Sequence, residues 1–102
     1  MHNDPVLSML GIAAKSGNVV SGEFSTEKAV KTGHAYLVIV STEASGNTKK
    51  SFCNMTDFYH VPCYCYGSKE ALGRCIGKEF RASLAVTDEN LAKAVEKKLK
   101  EH

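Results

Sequence analysis

A chain of 102 residues, 43% apolar and 24% charged, has the size and balance of one globular domain that builds a core without disulfide or metal staples. No apolar run approaches the roughly 20 residues of a membrane span, and the start, Met1-His2-Asn3-Asp4-Pro5, lacks the basic and apolar regions of a signal peptide, so the expected compartment is the cytoplasm. The net charge is +2, with five lysines against five carboxylates in residues 1–60 and eight basic against six acidic groups in residues 61–102. Bulk charge therefore attracts no nucleic acid, and any anionic partner has to be met by a local face.

Asp4-Pro5 predicts a helix start, an N-cap acceptor followed by proline at the first helical position. Val6, Leu10, Ala13 and Ala14 fall on one face of that helix, and Gly17 stops it. Asn18 to Ser21 reads as a brief strand broken by Gly22. A helix over Glu23 to Thr32 follows and ends at Gly33, with Phe24, Ala29 and Val30 as its apolar positions and Lys28 and Lys31 sharing a face. The continuous apolar run from Ala35 to Ser41 suits a central strand buried on both sides.

Ser45 caps the next helix, where Phe52, Met55 and Tyr59 form the expected core stripe. Lys49 and Lys50 lie in its early turns, where cations oppose the helix dipole, which hints at an external reason for them. Val61-Pro62 leads into a strand over Cys63 to Tyr66, and Ser68 caps a short helix ending near Cys75. Ala82 to Thr87 is another buried strand, and Thr87 or Asp88 caps a last helix with Leu91, Val95 and Leu99 inward. This alternation predicts an α/β fold, a three-layer α/β/α sandwich on a small, mostly parallel or mixed sheet.

Cys53, Cys63, Cys65 and Cys75 do not spell a zinc site, since Cys63-x-Cys65 is tighter than the usual knuckle. They read as small buried hydrophobes in a reducing cell, with metal or redox use as the alternative. The histidines, His2, His34, His60 and His102, sit in no nucleophile or metal motif, and G-x-S-x-G, Walker A and H-E-x-x-H are absent. His60 beside Cys63 or Cys65 is the one pairing a nucleophile could use, and strand alternation works against it. Ser41-Thr42-Glu43-Ala44 follows the apolar run where a dinucleotide fold needs its glycine fingerprint. The expectation is a non-catalytic protein with no cofactor, no metal and no small-molecule substrate.

RNA binding survives this elimination. Folded RNA is recognised through shape, backbone and unstacked bases. Gly22 lets a backbone approach closely, and the helix after it presents free N–H groups. Ser25 offers a hydrogen bond, Lys28 and Lys31 offer charge, Ile76-Gly77 offers an apolar wedge, and Lys78 and Arg81 can reach a phosphate. Each position also has a plainer reading: Gly22 as a turn, Lys28 as a solvated face, Gly77 as a helix C-cap.

These segments resemble the kink-turn-binding ribosomal proteins of the L7Ae type over nearly the whole chain. The resemblance rests on Leu10-Gly11-Ile12-Ala13, Ala14-Lys15-Ser16-Gly17, Gly22 with Lys28-Ala29-Val30 and Gly33, then Ser41-Thr42-Glu43-Ala44-Ser45, Val61-Pro62, Gly67-Ser68-Lys69-Glu70-Ala71-Leu72-Gly73 and Ile76-Gly77. The run Ala44 to Lys50 looks most like the small bacterial branch, ribosome-associated or translation-operon proteins. The resemblance implies a sandwich around a four-stranded sheet and binding to kinked or ribosomal RNA. Its contact surface is the start of the second helix plus the loop before the last strand: here Gly22, Phe24, Ser25 and Lys28, then Ile76, Gly77, Lys78 and neighbours.

The chain departs from the family at Phe24-Ser25, where archaeal and eukaryotic members usually carry Asn-Glu. That pair reads the sheared G·A bases of the kink, and neither Phe nor Ser reproduces its donors and acceptors. The alternative the sequence leaves standing is a protein-interaction module of the same fold that has lost kink-turn specificity.

Overall fold

A computed structural model describes residues 4–101; Met1, His2, Asn3 and His102, two of the four histidines among them, lie outside the described residues. The elements follow in the order α1 (Pro5–Lys15), β1 (Val19–Ser21), α2 (Glu23–Lys31), β2 (Leu37–Val40), α3 (Gly46–Phe58), β3 (Cys63–Cys65), α4 (Lys69–Cys75), β4 (Ser83–Val86) and α5 (Glu89–Lys100). The four strands form one mixed sheet in the order β1-β4-β2-β3. β4 is antiparallel to both neighbours, while β2 and β3 are parallel, so β1, β2 and β3 all run one way.

The two central strands are the two apolar runs, and every residue of β2 and β4 is buried. Alternation divides them between two cores. Leu37, Ile39, Leu84 and Val86 meet Val6, Leu10 and Ala13 of α1, Leu72 of α4, and Val95 and Leu99 of α5. Val38, Val40 and Ala85 meet Ala29 and Val30 of α2 and Phe52 of α3. Helices thus cover both faces, which is the three-layer sandwich. Side-chain oxygens cap four of the five helices: Asp4, Ser45, Ser68 and Asp88. Each such cap satisfies an amide that the helix cannot, a contribution of about 1 kcal/mol.

Two expectations are corrected, the place of Tyr59 and the burial of the cysteines. Tyr59 does not complete the α3 stripe: the helix ends at Phe58, and His60 at φ 60 turns the chain toward β3. Tyr59 stays 40% exposed, edge-on to Phe58 at 5.0 Å, and Thr56 takes the inner position with its hydroxyl donated to Phe52 O at 2.7 Å. Phe24, an apolar position of α2 whose facing the sequence leaves open, is 77% exposed in the first turn of the helix. Cys53 and Cys65 are exposed and Cys63 and Cys75 half-buried. β3 is an edge strand with no neighbour on its outer side, and Cys53 lies on the outer flank of α3.

Candidate nucleic-acid interface

Because β1, β2 and β3 run in one direction, α2, α3 and α4 all begin at the same end of the sheet. β4 runs the other way, so the segment leading into it arrives at that end too. Ser21 and Arg81, sixty residues apart in sequence, meet there: Arg81 Nε donates to Ser21 Oγ at 3.0 Å.

The first half of the site is the β1–α2 junction. Gly22 has φ 92, a conformation L side chains rarely adopt, and its N–H donates to Ser83 O at 2.9 Å, extending the β1–β4 pairing to the helix start. α2 alone has no side-chain cap among the described residues. Its first internal bond runs from Thr26 N–H to Gly22 O at 3.0 Å, which leaves the amides of Glu23, Phe24 and Ser25 directed out of the helix. Phe24, Ser25, Lys28, Thr32 and His34 line a groove of about 420 Å³ along this helix, floored by Val20 and Ala29.

The second half is the loop over residues 76–82. It folds back on α4: Lys78 N–H donates to Gly73 O at 2.8 Å and Gly77 N–H to Arg74 O at 3.1 Å, with Gly77 at φ 77. Lys78, Glu79 and Phe80 are thereby presented outward, Phe80 with 64% of its surface exposed.

The sites named from the sequence are only partly brought together. Gly22, Phe24, Ser25, Lys78 and Arg81 lie at this end of the molecule, while Lys28 lies in the last turn of α2, on the groove that runs from Phe24 to Thr32 and His34. Arg81 is half-buried and committed to holding the loop, with Nη1 also donating to Phe80 O at 2.8 Å, so its first role is to join the two halves. Lys31 is ion-paired with Glu27 at 2.6 Å, and that hydrogen bond and the Glu27 charge hold its pKa above the ordinary lysine value. Ile76 packs against the α1 side of the core and, with Gly77, borders a separate hollow with Gly11, Lys15 and Arg74. It is a core margin and not a free wedge.

Phe80 is the residue that sequence reasoning missed. Its signal was an aromatic inside the charged run Lys78-Glu79-Phe80-Arg81. Lys49 and Lys50, flagged for opposing the α3 dipole, turn out to lie at this same end, and neither has an ion pair among the described residues. Glu43 nearby is engaged, accepting from Lys69 N–H at 2.9 Å. The resulting surface combines unpaired lysines, exposed aromatic rings and uncapped amides, the groups that hold phosphates and unstacked bases.

No group of three His, Cys, Asp or Glu side chains among the described residues could hold a metal ion. No helix among them is long and apolar enough to cross a membrane.

The family model described as ribosomal protein L7Ae/L30e/S12e/Gadd45 matches residues 4–96. The Bacillus subtilis protein named RNA-binding protein YlxQ is 40% identical over 84 residues, covering 82% of this chain and 84% of that protein. The large ribosomal subunit protein eL30 of Sulfolobus acidocaldarius is 34% identical over 84 residues, 80% of this chain and 81% of its own. Among solved structures, a Bacillus halodurans protein of unknown function superposes with a TM-score of 0.93 at 33% identity, covering 96% of this chain and 99% of that one.

Proposed function

The chain belongs to the ribosomal protein L7Ae/L30e/S12e/Gadd45 family, and from that membership we propose that it is a non-catalytic RNA-binding protein whose ligand is a structured RNA, bent or ribosomal, with unpaired bases. The contact surface is the start of α2 together with the loop before β4. The observation that carries this reading is the Ser21–Arg81 bond, which sets an uncapped helix start and a basic, aromatic loop side by side. The name of the Bacillus subtilis relative supports the RNA class, and the eL30 relative supports a structured, ribosome-type ligand.

In this reading the amides of Glu23 to Ser25 and the ammonium groups of Lys28 and Lys78 take the RNA backbone. Phe24 and Phe80 stack on unpaired bases, each such contact contributing roughly 1–3 kcal/mol. With Phe24-Ser25 in place of an Asn-Glu pair, base identity is read more by stacking than by hydrogen bonds to a sheared G·A pair.

The test is capture of cellular RNA on the wild-type chain and on the Lys28→Glu, Lys78→Glu double variant, both at low and moderate salt. A discrete RNA enriched by the wild type and lost by the variant is the expected result. If enrichment does not exceed that of an unrelated protein of equal charge, the RNA reading falls. A protein-interaction module would then be the better account, and the exposed Tyr36 and the Phe58–Tyr59 pair, at the opposite end of the sheet, are the surface that favours it.

A further inference from the structure

Cys63 and Cys65 alternate with Tyr64 along β3, so both project to one face of the sheet. Their partners across the parallel pairing, Val38 and Val40, belong to the core under α2 and α3, and Cys63 packs at the margin of that core. Cys53 lies on α3, three residues before the buried Thr56 and hence on the adjoining flank of the helix. α3 packs on β3 from this side, so Cys63 and Cys65 lie toward the helix that carries Cys53 and Thr56. Three of the four sulfurs therefore gather where α3 crosses the outer edge of the sheet. The fourth, Cys75, is on α4 against the opposite core, with its thiol directed to Leu72 O at 3.2 Å.

We infer that Cys53 and Cys63 form a site of reversible oxidative modification, closing into an intramolecular disulfide when the protein meets an oxidant of the peroxide class. In the first step the exposed Cys53 sulfur gives up its proton and attacks one peroxide oxygen. The O–O bond breaks, the other oxygen leaves as hydroxide and takes a proton to become water, and Cys53 is left as a sulfenic acid. In the second step Cys63 gives up its proton and attacks the Cys53 sulfur. The S–S bond forms, the S–O bond breaks and a second water leaves. The two thiols lose two electrons and two protons between them, and the peroxide gains them.

The environment sets this order. Burial pushes the Cys63 thiol up to about 11, so it stays protonated and is a poor first nucleophile. It enters second, where its place on the strand under α3 raises its effective concentration at Cys53 and compensates for its small thiolate fraction. The product ties α3 to the edge strand β3, closing the short segment between them. The inference is independent of the RNA reading.

The experiment treats the purified chain with hydrogen peroxide, blocks remaining thiols by alkylation, and maps the cysteines by mass spectrometry without reduction. The expected result is a loss of two hydrogens per chain and a cross-linked peptide joining Cys53 to Cys63, reversed by dithiothreitol. Cys53→Ser, at an exposed position where the core is untouched, loses the cross-link, and Cys75→Ser retains it. The oxidised wild type unfolds at a higher temperature than the reduced form, a shift the Cys53→Ser variant does not show. Sulfinic or sulfonic acids without a cross-link, a bridge between two chains, or a bridge that uses Cys65 in place of Cys63 would each overturn the assignment.

Discussion

Lys28 and Lys31 share a helix and a charge, and one neighbour separates their roles. Glu27 lies four residues before Lys31 and takes its ammonium, whereas Lys28 has no carboxylate partner among the described residues and lines the open groove. Spacing places both on one face of α2, and the carboxylate one turn back from Lys31 leaves Lys28 as the free one. A second carboxylate shows the reverse economy. Asp4 Oδ1 caps α1 by accepting from Val6 and Leu7 N–H at 2.9 and 3.1 Å, while its Oδ2 accepts from Tyr66 Oη at 2.6 Å. Burial first, then this bond and the Asp4 charge, push the Tyr66 phenol up to about 12 from its ordinary 10. The folded chain thus holds that proton more tightly than the unfolded one. The stabilisation is whole below pH 10 and drains away as pH rises from 10 to 12. Tyr66→Phe removes the bond and should cost about 1–2 kcal/mol at neutral pH. Urea denaturation of both proteins at pH 7 and pH 11 checks this, and the difference between them should be smaller at the higher pH.

At the scale of elements, the loop over residues 76–82 is built by a glycine that sits outside it. A Cβ on Gly73 would lie 1.8 Å from Glu79 O and 2.4 Å from Glu79 C, both backbone atoms that no rotamer change can move aside. Gly73→Ala must lift the loop off α4, breaking the Lys78 to Gly73 bond and moving Lys78 and Phe80 with it. Thermal unfolding should show a loss of about 1–3 kcal/mol, the range for overpacking a close contact. RNA affinity should fall by more than the small unfolded fraction explains. Unchanged affinity would separate this loop from the interface.

The sequence carries most of the elements openly. Caps at Asp4, Ser45, Ser68 and Asp88, stops at Gly17 and Gly33, and two apolar runs mark helices and strands to within a residue or two. What it does not carry is strand order. A short Cys-Tyr-Cys segment looks the same in the middle of a sheet and at its edge, and the position of β3 is settled by how α3 packs on β2. The exposure of Cys65 and the gathering of three thiols follow from that packing and from no local pattern.

The whole molecule explains why so nearly neutral a chain can still present a basic face. The parallel course of β1, β2 and β3 brings the starts of α2 and α3 and the loop before β4 to one end. Lys49, Lys50 and Lys78 collect there, and Lys28 lies further along α2 on the groove that opens from it. Much of the remaining charge is spent in exposed pairs elsewhere, Lys93 with Glu89 and Lys100 with Glu96 along α5. Such pairs contribute at most about 1 kcal/mol to stability and no net field. The resemblance implies that the two segments form one surface; the Ser21–Arg81 bond is a contact that joins them, and no periodicity foretells a contact across sixty residues.

This distribution makes the salt dependence of RNA binding a test of place against total charge. If each lysine at this end meets a phosphate, the slope of log affinity against log salt should shrink by about 0.7–0.9 for each one neutralised. Lys28→Gln and Lys78→Gln should each remove about that much, and together about twice it. Lys93→Gln lowers the net charge by the same unit from the start of α5, at the far end of the sheet, and should leave the slope alone. Filter binding of the captured RNA between 50 and 200 mM salt would distinguish the cases. Equal losses for all three lysines would mean that total charge governs binding, and the site assigned to this end would have to be abandoned.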